Sequence, residues 1–215
     1  DFHWGKYSDA GENFEAFDKK IARERLFTCT NDALERLLKL GKPEKIYLPI
    51  GSDFLNIDND KGETTRGTTQ DNDGTPQEML VSGCELMEDL VDTLRQVAPV
   101  ELVLMSGNHD RMMGLAIILV LGALYRDCPD VSVNSARTPR VYCKYGKNLI
   151  GFLHGDGVRK INDIGALMAV EASESWHDCP HRTAYTGHLH HEKTETHATY
   201  GLTKRQLPSL SLIHI

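Results

Sequence analysis

Five short clusters gather most of the side chains able to do chemistry: Asp1-Phe2-His3, Gly51-Ser52-Asp53-Phe54-Leu55-Asn56, Gly107-Asn108-His109-Asp110, His154-Gly155-Asp156 and Gly187-His188-Leu189-His190. Their donors are carboxylates, imidazoles and an amide oxygen, with no thiolate. That set suits Mn, Fe, Zn, Ni or Co better than a structural zinc or a calcium cage. Two such ions about 3.5–4 Å apart need a bridging ligand, for which a carboxylate is the natural choice. Asp53 is the central candidate. In an extended strand residues two apart share a face, so His188 and His190 can aim at one point. The glycines permit the tight turns that bring backbone and ligand together.

Strands and helices must alternate to deliver these clusters to one place. Apolar residues at helical spacing run from about Glu15 to Leu40 and stop at Gly41-Lys42-Pro43. Ile46 to Ile50 suits a buried parallel strand ending at Gly51. Pro76 can open a helix that runs through Val97, with Pro99 closing it, and Val100 to Met105 forms the next strand. A further helix is predicted over Met113 to Tyr125. Beyond Pro129 short β segments follow at Val131–Val133, Arg140–Tyr145 and Leu149–Leu153, with Gly146-Lys147-Asn148 as a hairpin turn. Ile161 to Ser173 reads as a helix, and the chain returns to strand and loop from Ala184. Asn59 to Gly74 has no period and reads as a long surface loop, of a length that often carries function. In an open α/β sheet the carboxyl ends of the strands form the binding crevice, so the clusters at strand ends should converge.

The ordered series D-x-H, G-x-D-x-x-N, G-N-H-D, H-G-D and G-H-x-H resembles the calcineurin-like metallophosphoesterase superfamily. The resemblance runs from Asp1 to His190, each motif weak alone and the five in order strong. The polar loop and the Gly-Lys-Asn-Leu before His154 are similar to its phage and prophage branch, often described as resembling DNA-repair exonucleases. The resemblance implies a layered α/β sandwich of mixed β-sheets flanked by helices, with a dinuclear metal site at the strand ends. It places one ion on Asp1, His3, Asp53 and His190 and a second on Asp53, Asn108, His154 and His188, manganese being the first choice. It implies metal-activated water attacking phosphorus, with His109 as general acid. Asn56 stands where the family has an acidic residue or a histidine that orients this catalytic histidine. An amide can accept the imidazole N–H but adds no charge to favour the imidazolium.

The implied activity is hydrolysis of phosphate esters, diesters and nucleic acid foremost, with a phosphomonoesterase or cyclic-nucleotide phosphodiesterase as the alternative within enzymes. A non-catalytic metal-binding scaffold is the alternative outside them, disfavoured because the ligand set is full. The formal net charge of −7 and the lack of any Lys/Arg block argue against gripping duplex DNA through its phosphates. Bound cations would reverse that sign locally. Five scattered cysteines, none in C-x-x-C, fit a reducing cytoplasm better than a disulfide framework. The longest apolar run, Leu115 to Leu124, reads as a core helix, and no membrane association is expected. The whole chain is taken as a single domain over 1–215, cut at both ends, with an apolar tail foreign in character. His177, His181, His191, His197 and His214 fit no motif and read as solvated, His191 being notable for adjoining the His-x-His pair. Asp110 and Asp156 either hold imidazoles or cap turns. Lys61 and Arg66 read as solvated loop residues, and Arg111 is the better phosphate candidate.

Overall fold

The structure, a computed structural model, describes residues 1–13, 15–134 and 136–211, so His214 and the end of the apolar tail lie outside it. In chain order the elements are α1 (Ala10–Asn13), α2 (Lys19–Leu40), β1 (Ile46–Gly51), α3 (Pro76–Arg95), β2 (Val100–Met105), α4 (Arg111–Leu124), β3 (Val131–Val133), β4 (Arg140–Tyr145), β5 (Asn148–Leu153), α5 (Ile161–Glu171), α6 (Ser173–Asp178), β6 (His181–Thr186), β7 (Lys193–His197) and β8 (Leu202–Gln206). One sheet has the order β1-β2-β3 and is parallel throughout. The other has the order β4-β5-β6-β8-β7 and is mixed, with β5-β6-β8 parallel and β4 and β7 antiparallel at its edges. The expected fold class, a mixed α/β sandwich of two sheets flanked by helices, is the one observed.

Alternation along two strands explains the layering. On β2, Leu102 and Leu104 face a core shared with Leu86, Leu90, Ile117 and Leu121 of α3 and α4. Val103 and Met105 on its other face meet Val141, Cys143 and Phe152 of the second sheet. Strand β5 repeats the device: Phe152 joins the inter-sheet layer, while Leu149 and Leu153 pack with Ile164 and Met168 of α5. Both strands are therefore apolar on both faces, as a buried strand must be.

Caps set the helix limits. Asp18 accepts from the Ile21 amide at 2.8 Å, so α2 starts at Lys19 rather than near Glu15. Thr75 and Glu78 form a reciprocal capping box ahead of Pro76. Helix α4 begins at Arg111, two residues earlier than the apolar pattern suggests. Its amides at Met112 and Met113 donate to Asp58 Oδ1 at 2.7 and 2.9 Å, a cap supplied from a distant loop. The predicted helix over Ile161–Ser173 ends at Glu171, and a separate turn of helix, α6, follows it. The hairpin at Gly146 is present, with φ +55°.

The 59–74 loop is more ordered than its composition suggests. Asn59 Oδ1 accepts from the amides of Lys61 and Glu63, Thr64 is buried, and short bridges pair Glu63 with Thr69 and Lys6 with Asn72. Among the described residues no helix is long and apolar enough to cross a membrane.

Leu86 lies on the core face of α3 and is 1% exposed. Leu86→Ala should cost about 2–5 kcal/mol through lost burial and a residual cavity. Urea unfolding should show a lower midpoint with an unchanged slope.

Candidate metal centre

Strand register brings the clusters together. Gly51 pairs with Met105 at the ends of β1 and β2, so Ser52-Asp53 and Gly107-Asn108 leave the sheet side by side. In the second sheet the Gly187 amide donates to the His154 carbonyl at 2.8 Å, which aligns the ends of β5 and β6. The N-terminal segment joins through Asp53, whose carbonyl accepts from the amides of Phe2 and His3 at 3.1 and 2.9 Å. Trp4 then bridges to Leu55 in parallel fashion.

Two groups of potential ligands result: Asp1 with His3 and His190, and Asp53 with His154 and His188. Within each group one donor atom per residue lies within 4.8 Å of the others. In the first, His190 Nε2 is 3.3 Å from His3 Nε2 and 3.4 Å from Asp1 Oδ1. In the second, His154 Nε2 is 3.2 Å from Asp53 Oδ2 and 2.8 Å from Asn108 Oδ1. The seven residues singled out in the sequence thus lie in two groups, Asp1, His3 and His190 in one and Asp53, His154 and His188 in the other, with Asn108 joining the second through its amide oxygen and Asp53 grouped with the second set alone.

The backbone is strained where it turns into this site. Among the described residues five non-glycine residues have positive φ: His3 (52°), Ser52 (56°), Asp53 (60°), His188 (70°) and His190 (57°). All five belong to the site, and each left-handed residue costs about 1–2 kcal/mol. The compensating contacts are visible. Asp1 Oδ2 accepts from the His188 amide at 2.6 Å, and buried Gln206 reaches from β8 to the His191 carbonyl at 2.9 Å. Space is equally restricted: a Cβ at Gly107 would strike the Asp53 carboxylate and amide, and one at Gly187 would strike the Asp1 carboxylate.

Electrostatics suit cations. Asp53 is 1% exposed. Burial alone would raise its carboxyl, but the hydrogen bond and charge of His154, with help from His3 and the His109 amide, hold it far below the usual carboxylate range. Burial lowers the imidazoles of His3, His188 and His190, which favours the neutral form that ligates metal. Asp1 Oδ1 is buried with no hydrogen-bond donor, although it faces His190 Nε2. An anionic oxygen left bare in the interior is costly unless a cation meets it. Orphaned oxygen, neutral imidazoles and an ionised central carboxylate together fit divalent ions.

Several residues have roles that motif spacing did not reveal. Ser52 Oγ lies 3.0 Å from His154 Nδ1, leaving Nε2 to face Asp53 and Asn108. Asp110, fully buried, accepts from the amides of Asp53 and Leu55 at 3.2 and 3.0 Å. Burial and the nearby Asp53 charge push its carboxyl up to about 7. It therefore builds the turn that carries Asp53 and touches no imidazole. Asp156 pairs with Arg111 at 2.9 Å, again not with an imidazole. A serine or aspartate beside a motif has no periodic signal of its own, which is why sequence left these roles open.

The expected role of Asn56 needs correction. Its side chain is turned away from His109: Nδ2 donates to the Asp71 carbonyl at 3.2 Å and to Asn72 Oδ1 at 2.9 Å. His109 Nδ1 instead faces the Asn56 main-chain carbonyl at 3.1 Å. A buried amide N–H₂ must find acceptors, and the 59–74 loop provides them. The main-chain oxygen, an acceptor at any residue, is left to orient the imidazole. Of the histidines outside the motifs, His191 Nδ1 is satisfied by the Leu189 carbonyl at 2.9 Å, whereas His197 stacks near Tyr200 with a buried unpaired Nδ1. Beneath Asp1, Ser52 and Gly187 an apolar cavity of about 530 Å³ runs along the outer edge of β1, its walls mainly hydrocarbon.

Fold and site together define an α/β sandwich with two groups of potential cation ligands at its strand ends. No family model and no curated protein matches the sequence. Among solved structures, a predicted phosphoesterase from Streptococcus pneumoniae is 14% identical over 60% of this chain and 67% of its own, with a TM-score of 0.32. A single mutant of Vps29 from Entamoeba histolytica is 18% identical over 79% of this chain and 77% of its own, with a TM-score of 0.35. At these scores neither likeness bears on the chemistry, and the reading of the site rests on its own geometry.

Ser52→Ala should leave the fold intact and free the His154 ring to turn. Loss of such an orienting partner typically lowers metal affinity about 10–100-fold. Calorimetric titration of Mn into the metal-free variant measures this.

Proposed function

We propose that the protein is a metal-dependent phosphoric ester hydrolase acting on phosphate diesters, with nuclease-like activity. The observation that carries the reading is the position of Asp53 between the two ligand groups. Its carboxylate lies against His154, while its main-chain carbonyl holds the Phe2 and His3 amides of the N-terminal segment. On this reading Asp1, His3 and His190 hold one divalent ion, and Asn108, His154 and His188 hold a second, with Asp53 shared. The carboxylate, imidazole and amide donors are compatible with Mn, Fe, Zn, Ni or Co, and manganese is the first choice on the sequence resemblance. Divalent cations supply Lewis acidity toward phosphate oxygens and lower the pKa of water.

The chain's own contribution is to position groups and move a proton. His109 packs edge-on against His3 with ring centroids 4.7 Å apart, at the rim of the first ligand group. A carbonyl can only accept, so the Asn56 oxygen fixes the His109 proton on Nδ1. In the imidazolium the outward Nε2–H is then the acid available to a departing alkoxide. The His109 amide meanwhile donates to Asp53 Oδ1 at 2.7 Å, coupling the acid's position to the shared carboxylate. The preference for diesters, and the likeness to the phage and prophage nuclease branch, rest on the sequence motifs. An activity panel with Mn, comparing bis-p-nitrophenyl phosphate, p-nitrophenyl phosphate, cyclic nucleotides and single- and double-stranded DNA, tests both. Preferred turnover of the monoester would overturn the diester reading.

Two substitutions test the roles. Asp53→Asn should lower metal stoichiometry and abolish turnover; two tightly held ions in an active variant, by elemental analysis, would refute the shared-ligand role. His109→Ala should retain its metals and slow esters with basic alkyl leaving groups by about 10²–10⁴-fold. Activated aryl diesters should suffer far less. An equal loss in kcat/KM across leaving groups of graded pKa would make His109 a positioning residue and not the acid.

A further inference from the structure

Three guanidinium groups from separate parts of the chain gather on the His154–His188 side of the site. Arg111, the first residue of α4, donates through Nε to the Gly107 carbonyl at 3.1 Å and through Nη2 to Asp156 Oδ2 at 2.9 Å. Arg66, in the 59–74 loop, approaches the same Asp156 oxygen at 4.0 Å. Arg159, in the turn after β5, brings Nη2 to 3.1 Å from His188 Nε2. Among the described residues Asp156 is the carboxylate that meets these arginines, while Asp53, the other anion on this side, faces His154, in a chain whose formal net charge is −7.

The supports beneath these arginines are built, not incidental. The Arg66 loop is fastened by its neighbour Thr65, whose hydroxyl donates to Asp58 at 2.7 Å and accepts from the Arg111 amide at 3.4 Å. Asp58 in turn caps α4, so loop and helix start move as one body. The turn carrying Arg159 is held by Lys204, whose side chain is only 5% exposed and donates to the Arg159 carbonyl at 2.8 Å. Glu195 offsets the Lys204 charge at 3.3 Å, so that lysine serves structure. Arg111, 48% exposed, also braces the Gly107 carbonyl, whereas Arg66 is 75% exposed and meets Asp156 only at 4.0 Å.

We propose that this arginine rim is a subsite for a second phosphate group, so that the favoured substrate carries a phosphate next to the ester being cleaved. The proposal rests on the phosphoesterase reading and names its substrate class. A guanidinium fork matches two phosphate oxygens at once, and a phosphate carries more charge than the single carboxylate it would displace. Asp156 is the resident competitor: it holds Arg111 and draws Arg66 toward it until a stronger anion arrives. The second phosphate has two possible sources, the next linkage of an oligonucleotide or the terminal chain of a nucleoside polyphosphate.

Binding is tested on the metal-free protein, with tripolyphosphate titrated against orthophosphate. Arg66→Ala should weaken tripolyphosphate about three- to tenfold, and Asp156→Asn should strengthen it by a similar factor. Orthophosphate, which carries less charge, should bind more weakly than tripolyphosphate and respond in the same directions. With Mn, Arg66→Ala should raise KM for a 5′-phosphorylated dinucleotide or for a nucleoside triphosphate, leaving kcat nearly constant. Bis-p-nitrophenyl phosphate, which has one phosphate, should change less than about twofold. An effect confined to the dinucleotide assigns the rim to an oligonucleotide backbone; one confined to the triphosphate assigns it to a polyphosphate chain. Unchanged tripolyphosphate affinity in Arg66→Ala, or weaker binding in Asp156→Asn, would overturn the subsite. Should no ester be hydrolysed with any metal, the phosphoesterase reading falls, while the titration still decides whether the rim binds polyphosphate.

Discussion

The turn carrying Asp53 is the constraint on which the rest of the site depends. Its residues pass through left-handed backbone, a conformation that persists only where surrounding contacts over-determine it. Those contacts come from every direction. Asp110 holds the Asp53 and Leu55 amides from below, and the Asp53 carbonyl takes the Phe2 and His3 amides. Its carboxylate then accepts the His109 amide and faces His154. One residue thus ties the N-terminal segment, the end of β1, the start of α4 and the second sheet into a single cluster.

That cluster concentrates unfavourable terms where cations would relieve them. Buried carboxylates at Asp1, Asp53 and Asp110 stand within one small region, and Asp1 Oδ1 has no donor of its own. Burial also lowers the imidazoles of His3, His188 and His190, which weakens their ability to neutralise the anions. The two sheets provide the rigidity for this arrangement. Val103, Met105 and Phe152 lock β2 against β5, and those two strands lead directly to Asn108 and His154. A shift between the sheets would separate the ligand groups, and close packing of the layers resists it.

The 59–74 loop links site and scaffold in a way its composition conceals. Through Thr65, which bonds Asp58 just before the loop, it joins the cap of α4, and through the Asp71 carbonyl and Asn72 it takes the Asn56 side chain. The amide at Asn56 therefore fixes the loop, while its carbonyl fixes His109. One residue position performs a structural task with its side chain and a positioning task with its backbone.

Much of this was legible in the sequence. Hydrophobic period and strand-end glycines located β1, β2, β4 and β5 to within a residue, because such signals are local and each residue reports its own environment. The seven candidate residues that the fold gathers at the strand ends could be picked out too, because donor type and order along the chain survive without knowledge of distance. Helix starts at Lys19 and Arg111, the break before α6, and the last two strands were not legible, since caps and edge pairing depend on partners remote in sequence. The roles of Ser52, Asp110, Asp156 and Asn56 lay beyond sequence for the same reason. Each is a short polar side chain whose hydrogen bond can go to several neighbours. Only the packed tertiary structure, which closes all but one of those options by burial and distance, decides which.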